Sequence, residues 1–237
     1  YNYANEFWRL YLMTIKIIML GILAFIGFIA GKTGYLPENS GVILSRVVVK
    51  VTAPVLIFIT LAGNKITSEE LSNGIWIYVL GLVFMIFSFF IGAVLSKGLK
   101  MDVATKSMFK MHFVFGNVVF LAFPLISSVY DPANVKLALT YAVFFNLAND
   151  TLLWTLGIYL VNKHKDSSWK DNLKHLINGN TIAFTLGIIC IIINLQSIVE
   201  NNEVFKAVYD VVYGTLKPLG ETTFTLSMLF IGLILSE

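Results

Sequence analysis

The residues best suited to chemistry in this 237-residue chain are polar groups set inside apolar runs. Phe115-Gly116-Asn117-Val118-Val119-Phe120-Leu121-Ala122-Phe123-Pro124 lies within a run long enough to cross a membrane, yet it carries a glycine, a primary amide and a proline. In hydrocarbon every backbone polar group needs an internal partner, so a broken helix is tolerated only where it is buried in protein or lines a cavity. A discontinuous span with a polar side chain at its break is how secondary transporters build a substrate site near mid-bilayer. Asn117 can donate two hydrogen bonds through its amide, and freed N–H groups of a half-helix N-terminus add partial positive charge. Those donors suit a carboxylate, whose uncompensated desolvation is very costly. The competing reading is structural: a packing glycine, a kinking proline and an asparagine bonded to a neighbouring helix.

A second polar set follows. Asn146 and Asp150 are four residues apart and share a helix face, with Asn149 beside them. A carboxylate inside a membrane span is expensive and marks a functional site by default. Asp150 is thus a candidate for proton or cation coupling, or for pairing with Lys16, Arg46 or Lys50. Its structural alternative is an acid hydrogen-bonded to Asn146 or Asn149. The histidines offer less: His112 suits a membrane interface, and His164 and His175 sit in a lysine-rich loop. No two lie at metal-ligand spacing on one helix, so neither a metal nor another cofactor is expected. Ser88 has no histidine nearby in sequence to act as its base, which argues for packing over nucleophilic catalysis and against an enzyme. The single cysteine, Cys190, permits no disulfide within the chain and reads as a small buried apolar residue.

The elements that must position these groups are membrane helices. Hydrophobic residues make up 57% of the chain and charged residues 13%, with a mean hydropathy of +0.79. A soluble domain sits nearer a quarter charged, so the expected fold class is an all-α polytopic membrane protein. Seven spans are predicted: about Leu10–Ala30, Gly41–Gly63, Ile75–Leu95, His112–Tyr130, Val135–Val161, Thr181–Ile198 and Leu219–Leu235. Gly31-Lys32-Thr33-Gly34-Tyr35-Leu36-Pro37 reads as a turn. The second span is interrupted at Thr52-Ala53-Pro54, and only Val51 to Ala62 is free of charge, shorter than the ~20 residues a full crossing needs. Thr67 with Glu70 forms a capping box before the third. Asp131-Pro132-Ala133-Asn134 makes a tight turn, and Glu200 to Lys217 reads as an amphipathic or partly exposed helix. Gly21, Gly27 and Gly31 read as close helix packing, and Trp8, Tyr11, Trp76 and Trp169 as interface aromatics.

Lys97, Lys100, Lys106 and Lys110 follow the third span, and Lys163, Lys165, Lys170 and Lys174 follow the fifth, against Lys65 and Lys136 on the other side. By the positive-inside rule the lysine-rich side is cytoplasmic, which puts the amino terminus of this multi-pass cell-membrane protein outside. The net charge of +3 is spread over short loops, and no nucleic-acid partner is implied. Thr52-Ala53-Pro54-Val55-Leu56-Ile57-Phe58 can be laid on Thr222-Thr223-Phe224-Thr225-Leu226-Ser227-Met228, which suggests a repeat of five spans, the second copy inverted. The chain begins at Tyr1 without methionine and stops at Glu237 directly behind an apolar run, so both ends read as edges of a larger protein.

Gly116-Asn117, Phe120, Phe123-Pro124-Leu125 and Tyr130, then Phe145-Asn146 and Trp154-Thr155-Leu156-Gly157, resemble the auxin efflux carrier family of membrane transporters. The turn at Gly31 to Pro37, the Ala53-Pro54 break and Leu226-Ser227-Met228-Leu229-Phe230-Ile231-Gly232 fit the same pattern. Bacterial members are often described as malate or malonate permeases. The resemblance implies ten helices in two inverted repeats of five, the fourth and ninth broken and crossing at mid-membrane. It implies scaffold helices one and two over residues 1–70, transport-domain helices three to five over 71–177 and scaffold helices six and seven over 178–237. Helices eight to ten would lie outside this chain, so this stretch alone is not expected to transport.

On that basis the expected function is alternating-access secondary transport of small organic anions such as carboxylates. The lipid bilayer is its surroundings, and a homodimer through the scaffold helices is a candidate assembly. Gly116, Asn117, Pro124, Asn146 and Asn149 are the expected substrate-binding residues, and Asp150 the candidate for proton or cation coupling. Two departures from the family pattern stand out: Phe224 occupies a position where proline is usual, and Asp150 matches no family motif. A seven-helix receptor or sensor is the alternative, although no lysine sits inside the seventh span for a retinal Schiff base and no Asn-Pro pair occurs there.

Overall fold

The computed structural model describes residues 2–99, 101–157 and 177–237, with side chains throughout them except at 2–10, 12, 13, 103 and 104. All regular elements among the described residues are helical. Helix α1 (Asn2–Lys32) ends in the expected turn, where Gly34 takes φ 68°. That left-handed conformation suits a residue without a Cβ. Helix α2 (Ser40–Val47) passes through a π-helical turn, Val48–Thr52, directly into α3 (Ala53–Ala62). The interruption expected at Pro54 is therefore a widened turn within a continuous span. Proline cannot donate to the carbonyl four residues back. The turn shifts to longer bonds, with the Ala53 N–H on the Val48 carbonyl.

Helix α4 (Ser68–Gly98) starts at the expected capping box, with Glu70 N donating to Thr67 Oγ1 at 3.1 Å and Thr67 N to Glu70 Oε2 at 2.8 Å. The fourth expected span begins well before His112, because α5 occupies Val103–Val114. Its lysines do not end the helix: Lys110 lays its ammonium over the Phe89 ring, 5.7 Å from the centroid. After α5 the chain unwinds over Phe115, Gly116 and Asn117. It rewinds as a π-helical turn, Val118–Ala122, and continues into α6 (Phe123–Val129). The Asp131 carboxylate accepts from the N–H groups of Ala133 and Asn134 at 3.1 and 3.0 Å, making the expected turn into α7 (Val135–Leu152). A third π-helical turn, Leu153–Gly157, follows. The rest of the fifth expected span lies outside the described residues, as do His164, His175, Trp169 and the four lysines of its loop.

One expectation near the carboxyl end needs correction. The sixth span is not one straight helix: α8 (Gly179–Ile192) gives way to α9 (Leu195–Asn201) with a bend of 56°. Asn194 sits between them at φ 53°, a region that asparagine tolerates better than most residues. The partly exposed helix expected over Glu200 to Lys217 is present and joins the seventh expected span, because α10 runs unbroken from Glu203 to Ser236 through Pro218. Asn202 Oδ1 starts it by accepting from Val204 N and Phe205 N at 3.0 and 3.2 Å. Pro218 costs α10 one internal bond, to Gly214 four residues back, without stopping it. By length and composition five helices among the described residues can cross a membrane, and the bent α8–α9 pair makes a sixth.

Small residues set the packing. Helix α1 lies along α10, where a Cβ on Gly27 would run into the Leu229 carbonyl and one on Gly232 into that of Ala24. Gly31 fits against Ser236, but Gly21 faces open space, so its expected packing role is not met. Helix α3 is held between α8 and α10, and α4 packs on α5 and α7. The two groups of helices meet in an apolar cluster that includes Leu56, Ile57 and Leu61 of α3, Val118, Phe123 of α6, and Val143 and Phe144 of α7.

Candidate substrate site at the helix break

A cavity of about 550 Å³ opens beside the broken fourth helix. Gly116, Asn117, Asn146, Asn149 and Asp150 all line it, together with Lys50, Trp154, Asn178 and Asn180. Five of the six residues expected at a site from sequence are thus brought together. The sixth is not: Pro124 is buried in the first turn of α6, where its missing N–H leaves the turn before it π-helical, with the Phe123 N–H on the Val118 carbonyl. Its carbonyl accepts from Ser127 Oγ and Ser128 Oγ at 2.7 and 2.8 Å.

Asn117 starts the second half of the broken helix. Its Oδ1 accepts from Phe120 N at 3.1 Å, and its carbonyl accepts from Leu121 N and Ala122 N at 3.2 and 3.3 Å. With the oxygen so used, the Nδ2 group is left over, without an acceptor among the described residues. The N–H groups of Gly116 and Asn117 likewise find no backbone acceptor there. Both residues are exposed to the cavity. This wall therefore presents hydrogen-bond donors and the positive end of a half-helix.

The facing wall is built by α7 and the first turn of α8. Asn146, Asn149 and Asp150 are 2%, 6% and 7% exposed. Asn180 Nδ2 donates to Asp150 Oδ2 at 3.0 Å, and Asn146 Nδ2 approaches the same oxygen at 3.4 Å. Asn180 is placed by a capping box: Asn178 Oδ1 accepts from Asn180 N and Thr181 N at 2.9 and 3.2 Å, and Asn178 N donates to Thr181 Oγ1 at 3.0 Å. Sequence reasoning missed Asn178 and Asn180, although the Asn-x-x-Thr spacing of Asn178 and Thr181 was a readable helix start. Of the three cations considered for Asp150, Lys50 lines the cavity and Lys16 and Arg46 do not. Lys50 is exposed, and among the described residues the ion pair formed is Lys65–Glu200 at 2.6 Å.

A second cavity, of about 740 Å³, takes the opposite ends of the same helices: Gly63 and Asn64 after α3, Lys136 of α7, Gln196 of α9, and Tyr209, Tyr213, Lys217 and Glu221 of α10. Leu56 and Ile59 of the apolar cluster line this second cavity and Val118 lines the first, so the cluster stands between them.

An all-helical membrane protein with a broken span at a polar, donor-bearing cavity has the build of a membrane transporter. The profile of a family described as membrane transport protein matches residues 12–170, from α1 through the break and past α7. The chain belongs to that family, the auxin efflux carrier family whose motifs are read above. No curated protein and no solved structure matches it. Membership of a transporter family leaves the receptor alternative without support.

Proposed function

We propose that this protein is a secondary carrier for small organic anions, working by alternating access, and not an enzyme. The observation that carries the reading is the wall at Gly116 and Asn117, where backbone N–H groups, the Asn117 amide and a half-helix N-terminus converge on one cavity. A carboxylate accepts hydrogen bonds only, and this wall offers donors. Asn146 and Asn149 extend the polar lining toward the rest of the substrate, and Pro124 acts by fixing the start of α6.

Residues 1–70 and 178–237 form the scaffold in this reading, and residues 71–177 the part that moves. In support, α1, α3, α8 and α10 pack on one another, while α4 packs on α5 and α7. Two cavities at opposite ends of the same helices, with an apolar cluster between them, suit access that alternates from side to side. The amino terminus faces outward in the cell membrane and a homodimer pairs through the scaffold; Lys97, Lys106 and Lys110 near the α4–α5 connection favour a cytoplasmic position for that end.

Binding to the purified chain tests the anion site. Radiolabelled mono- and dicarboxylates, dicarboxylates of the malate and malonate type included, should bind saturably while their methyl esters do not. Asn117→Ala should weaken binding roughly 10–100-fold, the loss expected for a hydrogen bond to a charged group. Equal binding of acid and ester, or unchanged affinity in Asn117→Ala, refutes the assignment.

A further inference from the structure

We infer that Asp150, Asn149 and Asn180 form a binding site for a monovalent cation, in the same cavity as the carboxylate site and on its facing wall. The inference rests on the carrier reading above and adds a second ligand to it.

The argument starts from two oxygens. Asn149 Oδ1 and Asn180 Oδ1 are buried and have no hydrogen-bond partner among the described residues, in residues 6% and 9% exposed. Both belong to the cavity wall that holds Asp150. Buried carbonyl oxygens are rarely left unpaired, because each then loses its hydration without replacement. Next to them lies a carboxylate whose partners among the described residues are neutral amides: Asn180 at 3.0 Å and Asn146 at 3.4 Å, both on Oδ2, and the Asn149 side chain. Amides satisfy the lone pairs of a carboxylate without cancelling its charge, and an uncancelled buried charge is expensive. The wall therefore lacks one thing: a positive ligand that also takes up neutral oxygens.

A proton on Asp150 would serve one of the two carbonyls and leave the other orphaned. Among the described residues Lys50 is the cation that lines this cavity, but it is exposed and forms no ion pair there. A metal ion bound by one carboxylate and two amide oxygens supplies the missing charge and takes up both carbonyls, in exchange for the Asn180–Asp150 hydrogen bond. The nitrogen and oxygen of a side-chain amide exchange places by a half-turn, so Asn180 can present Oδ1 where Nδ2 now meets Asp150. Oxygen donors select a hard cation, and a single carboxylate balances a single charge. Among the described residues no three His, Cys, Asp or Glu gather to hold a more highly charged or softer ion. The unwound backbone after α5 lies at this same cavity through Gly116 and Asn117. Unwound carbonyls and half-helix ends are where discontinuous helices coordinate such ions. A cation here also offsets the charge of a bound carboxylate, so each ligand should tighten the other by the same factor.

The experiment uses the purified chain in detergent, with radioactive sodium and rubidium as probes and choline as the replacement ion. Saturable binding of one of them is expected, weakened at least about tenfold in Asp150→Asn and in Asn180→Leu, and retained in Lys50→Gln. Thermal unfolding should shift upward with that ion in the wild type and not in Asp150→Asn. If Asp150→Asn fails to fold, the wild-type titration against choline decides alone. Absence of saturable binding of both ions, or binding that survives in Asp150→Asn, overturns the site. A chain that binds carboxylates but no cation refutes this inference only; one that binds the cation but no carboxylate refutes the carrier reading instead.

Discussion

Two helices of this protein meet the same problem with different outcomes. Ala53-Pro54 and Phe123-Pro124 each place a proline at the start of a half-helix, and each is preceded by a π-helical turn, Val48–Thr52 and Val118–Ala122. The first span stays continuous; the second is broken over Phe115, Gly116 and Asn117. Proline therefore accounts for the widened turn in both places and for the break in neither. What the second helix adds is Gly116-Asn117, a poor helix former followed by a residue that caps from its side chain. Asn117 Oδ1 on Phe120 N restarts the helix, and the Lys50 side has no counterpart to it. The packing differs in step. Thr52, Ala53, Leu56 and Ile57 are buried in the protein interior, whereas Gly116 and Asn117 open on the cavity.

The largest effect should come from filling the close contacts on the continuous side. A Cβ at Gly220 of α10 would meet the Leu56 backbone near 3.0 Å, and backbone cannot swing aside as a side chain can. Gly220→Leu should therefore separate α3 from α10 and cost about 1–3 kcal/mol, the usual penalty of overpacking, or more. A lower unfolding temperature in detergent and a poorer yield of monodisperse protein are the readouts. An unchanged melting curve would show that α3 is not the rigid partner in the comparison.

Removing the prolines should have a middling effect, and an unequal one. Restoring an N–H at position 54 allows an ordinary turn in place of the π-helical one, which drops one residue and rotates α2 by about 100° against α3. Lys50 would then leave the cavity wall. Pro54→Ala should cost about 1 kcal/mol in stability and weaken anion binding most at low salt, where a lysine charge is least screened. Pro124→Ala should change binding less, because the unwound residues ahead of it can absorb the same rotation. Equal losses from both would mean that the break does not decouple the two halves of the fourth helix.

The same contrast explains what could be read from the sequence. The capping box at Thr67, the turn at Asp131 and the break at Gly116-Asn117 are local chemistry written in neighbouring residues. All three appear where side-chain types placed them. Asn146, Asn149 and Asp150 were conspicuous because polar groups are rare in apolar spans. The bend at Asn194 and the unbroken run of α10 past Pro218 are backbone outcomes that hydropathy does not register. Asn180 was invisible for another reason. It comes at the edge of a span, where an asparagine is ordinary, and gains meaning only from the Asp150 carboxylate 3.0 Å away on α7.

The smallest effect tests the glycine at the break. A flexible glycine suggests a backbone that other residues cannot adopt, yet Gly116 is not among the positive-φ glycines; Gly34 is. A Cβ at Gly116 would meet no atom within 4 Å. Its backbone and surroundings therefore accept alanine, and the fold should be unchanged in Gly116→Ala, with a melting temperature within experimental error of the wild type. What alanine would occupy is cavity space directly beside two N–H groups that have no backbone acceptor among the described residues. Carboxylate affinity should fall several-fold while stability holds, a split that a purely structural glycine cannot give. Loss of stability with binding preserved would assign Gly116 to the packing of the break and leave Asn117 as the sole contributor to that wall.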